Sequence, residues 1–133
     1  MISIIIPVHN ARRNLETCLR RVLVSSCRDY EIIVVDDCSD DGSGQAARKY
    51  TENIIGLNKK SGPAVARNAG SKRAKGEVLL FIDSDILIMK DTLHRIADFL
   101  NENKDIDGVT SLHVGQPLFL NFCSQYKYLY YKY

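Results

Sequence analysis

The sequence predicts a three-layer α/β fold with a mostly parallel sheet, and two observations carry that prediction. Short continuous runs of apolar, β-branched residues alternate along the chain with segments that have the spacing of amphipathic helices. This alternation is typical of βαβ units, whose strands all end at the same edge of the sheet. The 133 residues, of which 45% are hydrophobic and 26% charged, fit one globular domain.

The first part of the chain predicts three strands and two helices. Ile2–Val8 is a continuous apolar run, which is typical of a strand buried on both faces. The leucines and valines that follow keep helical spacing and predict a helix at Ala11–Ser26. Two more strands are expected at Tyr30–Val35 and Asn53–Leu57, with a short helix at Gly44–Tyr50 between them.

The second part predicts two more helices, two more strands and an aromatic segment. A helix is expected at Pro63–Lys75, since proline is favoured in the first turn, and a buried strand at Glu77–Ile82. Asp91 is the expected N-cap of a further helix. A fifth strand is predicted at Gly108–Leu112, and Phe119–Tyr133 has one apolar, aromatic helical face.

Composition excludes several classes of function. Lys and Arg (18) barely outnumber Asp and Glu (16), and the net charge of +2 argues against nucleic acid as a partner. The four cysteines include no C-x-x-C pair, which disfavours zinc ribbons and thioredoxin-like sites and predicts free thiols. No signal peptide and no apolar run of membrane-spanning length is present. We therefore expect a cytoplasmic protein, and we leave open that a longer form works at the cytoplasmic face of a membrane.

The polar segments after the first, second and fourth strands are the candidate site, because α/β sheets bind ligands at that edge. Pro7–Asn14 contains no glycine, which excludes dinucleotide-binding turns and P-loops. Asp36 and Asp37 end a buried strand, and for them a ligand contact and a local turn stay open as alternatives. The segment that follows begins like a calcium loop but has Arg48 where that loop needs a bidentate Glu.

Asp83 and Asp85 are the strongest candidates for binding a metal. They directly follow the fourth predicted strand, so two carboxylates would lie side by side at its end. A bound cation would compensate for their repulsion, and oxygen ligands suit Mg²⁺ or Mn²⁺, which also bind phosphates. The alternative is that the pair caps the following segment. Arg67 would face the same edge, near a helix N-terminus that favours anions.

Four segments in order resemble family 2 glycosyltransferases, which are inverting, nucleotide-sugar-dependent enzymes with the Rossmann-like GT-A fold. The four segments are Ser3–Asn10, Ile33–Ser43, Gly62–Gly70 and Gly76–Asp85. The resemblance implies a single domain, 1–133, with its core at 1–112. Segment 113–133 would then lead towards an acceptor-binding half that is missing, so we expect a chain truncated at its C-terminus.

The resemblance also implies roles for individual residues. The nucleotide-sugar-binding residues would be Pro7, Val8, His9, Asn10, Asp36, Asp37, Arg67 and Asp83, and the metal ligands would be Asp83 and Asp85. Asp37 would accept a hydrogen bond from a uracil-type base, and Arg67 would lie near the base or the diphosphate. Asp83 would contact the ribose or the metal. Asp85 would hold the cation, Mn²⁺ or Mg²⁺, on the diphosphate.

The general base is the element of the family that the sequence does not supply. An inverting transfer needs a group that deprotonates the acceptor hydroxyl, and the resemblance places that group beyond Tyr133. The expected reaction is transfer from a UDP-sugar to a saccharide or lipid-linked acceptor. The main alternative is a non-catalytic nucleotide-binding module, and a nucleotidyltransferase is a weaker third interpretation. An exposed aromatic stripe at Phe119–Tyr133 would favour self-association.

Overall fold

The structure is a computed structural model, and it describes residues 1–110. The chain divides into two compact units, Met1–Asn101 and Glu102–Tyr133. The fold described below is that of the first unit. The predicted core boundary at residue 112 and the predicted aromatic helix at Phe119–Tyr133 lie outside the described residues, and both stay predictions.

Four strands and four helices alternate along the described residues. They are β1 (Ile2–Val8), α1 (Arg12–Leu23), β2 (Tyr30–Asp36), α2 (Ser43–Ala47), β3 (Ile54–Gly56), α3 (Pro63–Arg73), β4 (Val78–Phe81) and α4 (Thr92–Glu102). The strands form one sheet in the order β3-β2-β1-β4, and every neighbouring pair is parallel. The predicted α/β fold with a parallel sheet is therefore confirmed.

The sheet is covered on both faces, which confirms the three layers. All seven residues of β1 are buried because it is a central strand with partners on either side. Ile4 and Ile6 belong to the core that includes Leu15 and Leu19 of α1. Ile5 points to the opposite face, where it packs with Ala66 of α3. The alternation of side chains along a strand accounts for this division into two cores.

The strand order creates a reversal beside β1. The chain moves outwards from β1 to β2 and β3, and then returns through α3 to place β4 on the other side of β1. Ligands of open α/β sheets bind at such a switch point, at the carboxyl ends of the strands. The carboxyl ends of β1 and β4 are therefore the expected position of a ligand site.

Most differences from the sequence prediction lie at the ends of elements. Helix α1 ends at Leu23 rather than Ser26, because the backbone N–H of Ser26 donates to the carbonyl oxygen of Lys90. Helix α3 ends at Arg73 rather than Lys75, because Ala74 adopts an extended conformation with ψ of 140°. The fifth strand predicted at Gly108–Leu112 is wrong for residues 108–110, which are in no strand, and its last two residues lie outside the described part.

Two other expectations can be compared with the described residues. Within residues 1–110, no helix has both the length and the apolar character that crossing a membrane requires. The three cysteines in that range, Cys18, Cys27 and Cys38, are free thiols, as predicted. Cys18 is fully buried beneath the sheet edge, and it has a further contact described below.

Candidate functional site

A cleft of about 420 Å³ lies at the carboxyl ends of β1 and β4. Its lining comes from the three polar segments that follow β1, β2 and β4, from the loop before α3, and from the first half of α3. The lining residues are Pro7, Val8, His9, Ala11, Asn14, Asp37, Lys60, Gly62, Pro63, Arg67, Asp83, Ser84 and Asp85. Seven of these are among the predicted site residues, and the structure brings them to one place although they span almost eighty positions of sequence.

The end of β1 supplies one wall of the cleft. Pro7 and Val8 continue the strand, and the half-buried His9 follows with its Nδ1 2.8 Å from the carbonyl oxygen of Asp37. A carbonyl oxygen only accepts hydrogen bonds, so Nδ1 carries the proton and Nε2 is left as the acceptor in the neutral ring. This hydrogen bond fixes the imidazole between the ends of β1 and β2.

Asn10 is a predicted site residue that the structure does not bring into the cleft. It is exposed, its φ of 49° is in the left-handed region, and its side-chain oxygen accepts from the backbone N–H of Asp40 at 2.9 Å. Its own backbone N–H donates to the hydroxyl of Ser39. Asn10 therefore joins two loops, and the nucleotide contact that the resemblance implies for it stays a prediction.

Asp37 is buried, with 4% of its surface exposed, and it joins two loops of the cleft. Its Oδ1 accepts from the backbone N–H of Ser61 and its Oδ2 from that of Gly62, each at 2.7 Å. Gly62 is the N-cap of α3 and has no side-chain cap of its own. The anion at the start of α3 is therefore a carboxylate of the protein itself, which the sequence analysis did not foresee.

Asp36 points away from the cleft even though it is adjacent to Asp37. Successive side chains of a strand alternate between faces, so the two carboxylates cannot share one site. The Oδ1 of Asp36 accepts from the backbone N–H of Ser39 at 3.1 Å, and Gly44 at the start of α2 lies directly against the carboxylate. Asp36 is thus used in a local turn, which was the alternative that the sequence left open.

Arg67 and Asp83 form an ion pair across the cleft. The Nη2 of Arg67 is 2.5 Å from the Oδ1 of Asp83, and the two side chains are 35% and 55% exposed. The pair joins the first half of α3 to the end of β4. Asp85 lies on the same turn, is exposed, and lines the cleft beside Asp83.

The turn that carries both carboxylates rests on a buried thiol of α1. The Sγ of Cys18 donates to the carbonyl oxygen of Asp83 at 3.9 Å, and the same oxygen accepts from the backbone N–H of Ile86. Burial raises the pKa of Cys18 to about 12, and the negative charge of Asp85 contributes to that rise. Cys18 therefore supports the turn as a neutral thiol.

The carboxylates fit a divalent cation that also binds a ligand's phosphates. Within residues 1–110, no group of three or more acidic, His or Cys side chains is placed to hold a metal ion by itself. Mg²⁺ and Mn²⁺ commonly take one or two protein carboxylates and complete their coordination with phosphate and water oxygens. Asp85 is open to such an ion, while one oxygen of Asp83 is occupied by Arg67.

A second groove, of about 430 Å³, lies beside the first residues of α1 and includes Arg12 and Asp41. The N-terminus of α1 is capped from another loop. The Oδ2 of Asp41 accepts from the N–H of Arg12, and the hydroxyl of Ser43 accepts from the N–H of Ala11. The Ser43 hydroxyl and the backbone N–H groups of Arg12 and Ser43 donate to Asp41 and hold the pKa of its carboxyl below the usual value. The groove is therefore lined by residues that cap the N-terminus of α1.

Two functional candidates were missed by the sequence analysis, namely Lys60 and Cys18. Lys60 was assigned from the sequence to a loop without a function. Lys60 lies two positions before the N-cap of α3, however, and this position places it at the same sheet edge as the start of the helix. Cys18 follows the apolar spacing of α1 and was therefore indistinguishable from a core residue. Its contact with Asp83 joins positions 65 residues apart and has no local signal.

Comparison with known proteins identifies the family. The sequence profile of "Glycosyl transferase family 2" matches residues 3–130. The chain is 40% identical over 112 residues to a poly(ribitol-phosphate) beta-glucosyltransferase of Bacillus spizizenii, covering 77% of this chain and 18% of that protein. It is 33% identical over 131 residues to the poly(ribitol-phosphate) beta-N-acetylglucosaminyltransferase TarS of Staphylococcus aureus, covering 88% of this chain and 23% of TarS.

Solved structures agree with this assignment. The crystal structure of S. aureus TarS 1-349 in complex with UDP-GlcNAc superposes with a TM-score of 0.74 at 33% identity, over 90% of this chain and 38% of that one. The structure of a mannosyltransferase of Pyrobaculum calidifontis in complex with GDP-Man and Mn²⁺ superposes with a TM-score of 0.70 at 28% identity. The match covers 74% of this chain and 32% of the mannosyltransferase. The chain thus has the GT-A fold and spans less than half the length of these relatives. It belongs to glycosyl transferase family 2.

Proposed function

We propose that this chain is the donor-binding part of an inverting glycosyltransferase that takes a sugar from a UDP-sugar in the presence of Mn²⁺ or Mg²⁺. The acceptor is a saccharide or a lipid-linked saccharide. The reaction takes place in the cytoplasm or at the cytoplasmic face of a membrane. The general base belongs to chain beyond Tyr133, and Phe119–Tyr133 contributes to self-association.

One observation supports the proposal most strongly. Asp85 and the Arg67–Asp83 pair line the same cleft as His9, at the switch point of a parallel sheet. A nucleoside diphosphate needs an apolar wall for its base and a divalent cation for its phosphates. The cleft offers Pro7 and Val8 for the first and the exposed carboxylates of Asp83 and Asp85 to hold the second. S. aureus TarS, which is 33% identical, has been crystallised with UDP-GlcNAc, and the 28% identical mannosyltransferase with GDP-Man and Mn²⁺.

The residues of the cleft have separate tasks in this proposal. The walls formed by Pro7, Val8 and His9 receive the base and keep water from it. Arg67 holds Asp83 in place and offers its remaining N–H groups to the base or the ribose. Asp85 holds the divalent cation, which would stabilise the charge that develops on the departing diphosphate.

The non-catalytic binding module was the main alternative, and no observation on the fold or the cleft favours it. Such a module would bind the nucleotide but transfer no sugar even in a form of the protein that includes the acceptor-binding half. A transfer assay on that form separates the two functions, because sugar transfer excludes the binding module and nucleotide binding without transfer would favour it.

Calorimetric titration tests the proposal. UDP is titrated into the 133-residue chain with Mn²⁺, with Mg²⁺ and with EDTA, and GDP serves as the comparison. We expect saturable binding of UDP that depends on the divalent cation and is tighter than that of GDP. Binding of equal strength in EDTA would contradict the metal dependence, and tighter binding of GDP would contradict the choice of donor. Absence of binding to either nucleotide would contradict the proposal as a whole.

A further inference from the structure

The cleft has an excess of negative charge that a nucleoside diphosphate must overcome. Three carboxylates, those of Asp37, Asp83 and Asp85, line it together with two cationic side chains, those of Lys60 and Arg67. Diphosphate groups are repelled by carboxylates unless cations stand between them. The question is therefore which cationic group is available to the phosphates.

Arg67 is already committed to another partner. Its Nη2 forms the ion pair with Asp83, so the two charges largely cancel. The charge of Asp37 is likewise satisfied by the backbone N–H groups of Ser61 and Gly62. These same bonds occupy N–H groups at the start of α3, which would otherwise attract phosphate. The charges left for a ligand are those of Asp85 and Lys60.

Lys60 is held at the cleft by its neighbours in the chain. The two residues that follow it are those whose backbone N–H groups bind the buried carboxylate of Asp37. The backbone beside Lys60 is therefore fixed to the end of β2, while its side chain is exposed. Among residues 1–110, no acidic side chain forms an ion pair with Lys60.

We propose that Lys60 binds the diphosphate of the nucleotide donor in the cleft that it lines together with Asp85, and that Asp37 positions it by clamping the loop before α3. The proposal rests on the proposed function, because it assumes that the ligand of the cleft is a nucleoside diphosphate. Lys60 acts as a flexible point charge with three donors, which suits phosphate oxygens in more than one geometry. Its partner Asp37 is a positioning residue in this arrangement.

The adjacent lysine provides a matched control. Lys59 is exposed, carries the same charge and lies one residue earlier on the same loop, but it does not line the cleft. Lys59→Gln and Lys60→Gln therefore change the net charge of the protein equally. Any difference between the two variants reports the position of the charge at the cleft.

Binding of UDP and of uridine to the two variants tests the proposal. UDP is titrated calorimetrically in Mn²⁺, and uridine by NMR shift changes. We expect Lys60→Gln to weaken UDP binding roughly tenfold, the equivalent of one charge-assisted hydrogen bond, with uridine unchanged. Lys59→Gln should change UDP affinity less than about twofold, and Lys60→Arg should restore most of the loss.

Three results would overturn the inference. Equal UDP affinities for Lys60→Gln and Lys59→Gln would mean that Lys60 makes no phosphate contact. Equal losses for UDP and uridine in Lys60→Gln would mean that the substitution disturbs the loop as a whole. Wild-type protein that binds no UDP would contradict the proposed function and this inference together, whereas the first two results leave the proposed function intact.

Discussion

Asp36–Asp37 after β2 and Asp83–Asp85 after β4 are both acidic pairs at the same edge of the sheet, and the structure uses them in opposite ways. Asp37 is 4% exposed and takes a backbone N–H on each oxygen, while Asp36 serves a local turn. Asp83 and Asp85 are exposed, and only Asp83 has a charged partner, Arg67. The first pair therefore holds the walls of the cleft together, and the second presents charge to a ligand.

Spacing explains the difference. Asp36 and Asp37 are adjacent at the end of a strand, so their side chains point to opposite faces and cannot share a ligand. Asp83 and Asp85 are separated by one residue and lie in a turn after the strand has ended, which brings both to the cleft. In this protein, therefore, only the pair whose carboxylates are separated by one residue lies with both members at the cleft.

The largest effect on stability is expected at Asp37. Asp37→Asn replaces one acceptor with an NH₂ group that faces a backbone N–H, so we expect the free energy of unfolding to fall by about 3 kcal/mol. Asp36→Asn is the matched control, because Asp36 is half-buried and accepts from a single backbone N–H. It should cost about 1 kcal/mol. Urea denaturation measures the free energy of unfolding of both variants. Equal losses would contradict the conclusion that Asp37 joins two loops of the cleft while Asp36 serves a local turn.

A smaller effect is expected at the thiol beneath the second pair. Cys18→Ala removes a buried sulfur that packs in the core and donates to the carbonyl oxygen of Asp83. We expect a loss of about 1 kcal/mol in unfolding free energy and weaker binding of UDP with Mn²⁺, because the turn loses its support. Val22→Ala, in the same core but without a contact to this turn, is the control. Equal effects of both variants on UDP binding would contradict the supporting role of Cys18.

The smallest effect concerns the cap of α1 by Asp41. Hydrogen bonds from Ser43 and from the backbone of Arg12 hold the pKa of Asp41 below its usual value of 3.8, so its ionised form stabilises the folded state. That stabilisation is present above pH 3.8 and is lost as the pH falls through the lower pKa of the folded protein. Since Asp41 is exposed, we expect Asp41→Asn to cost only about 0.5 kcal/mol at neutral pH. The difference in stability from wild type, followed by thermal unfolding, should shrink as the pH falls below 3.8. A difference that is independent of pH would exclude the charge as its source.

Much of the fold was predictable because its signals are local. The seven buried residues of β1 form a continuous apolar run, and Pro63 marks the start of α3 at the position where it was expected. The contacts that shape the cleft have no such signal. Asp37 reaches Ser61 and Gly62 across 24 and 25 positions, and neither a period nor a spacing in the sequence indicates that a carboxylate will cap a helix from another loop.

Part of the candidate site was also predictable from local signals in the sequence. Asp83, Asp85 and His9 follow strands whose ends could be located, and Arg67 lies one turn into a helix whose start is marked by Pro63. Their convergence at one edge therefore follows from the parallel sheet. Asp36 could not be separated from Asp37 without the exact last residue of β2, which the structure places at Asp36. The pairing of Arg67 with Asp83, which leaves Lys60 available, depends on side-chain geometry that sequence patterns do not contain.

Binding of UDP by Asp85→Asn in the presence of Mn²⁺ tests the division between the two acidic pairs most directly. Asp85 is exposed, so the substitution should leave the free energy of unfolding within about 0.5 kcal/mol of wild type. We expect calorimetry to show that the Mn²⁺-dependent part of UDP binding is lost. An Asp85→Asn variant that binds UDP with wild-type affinity and the same dependence on Mn²⁺ would contradict the account.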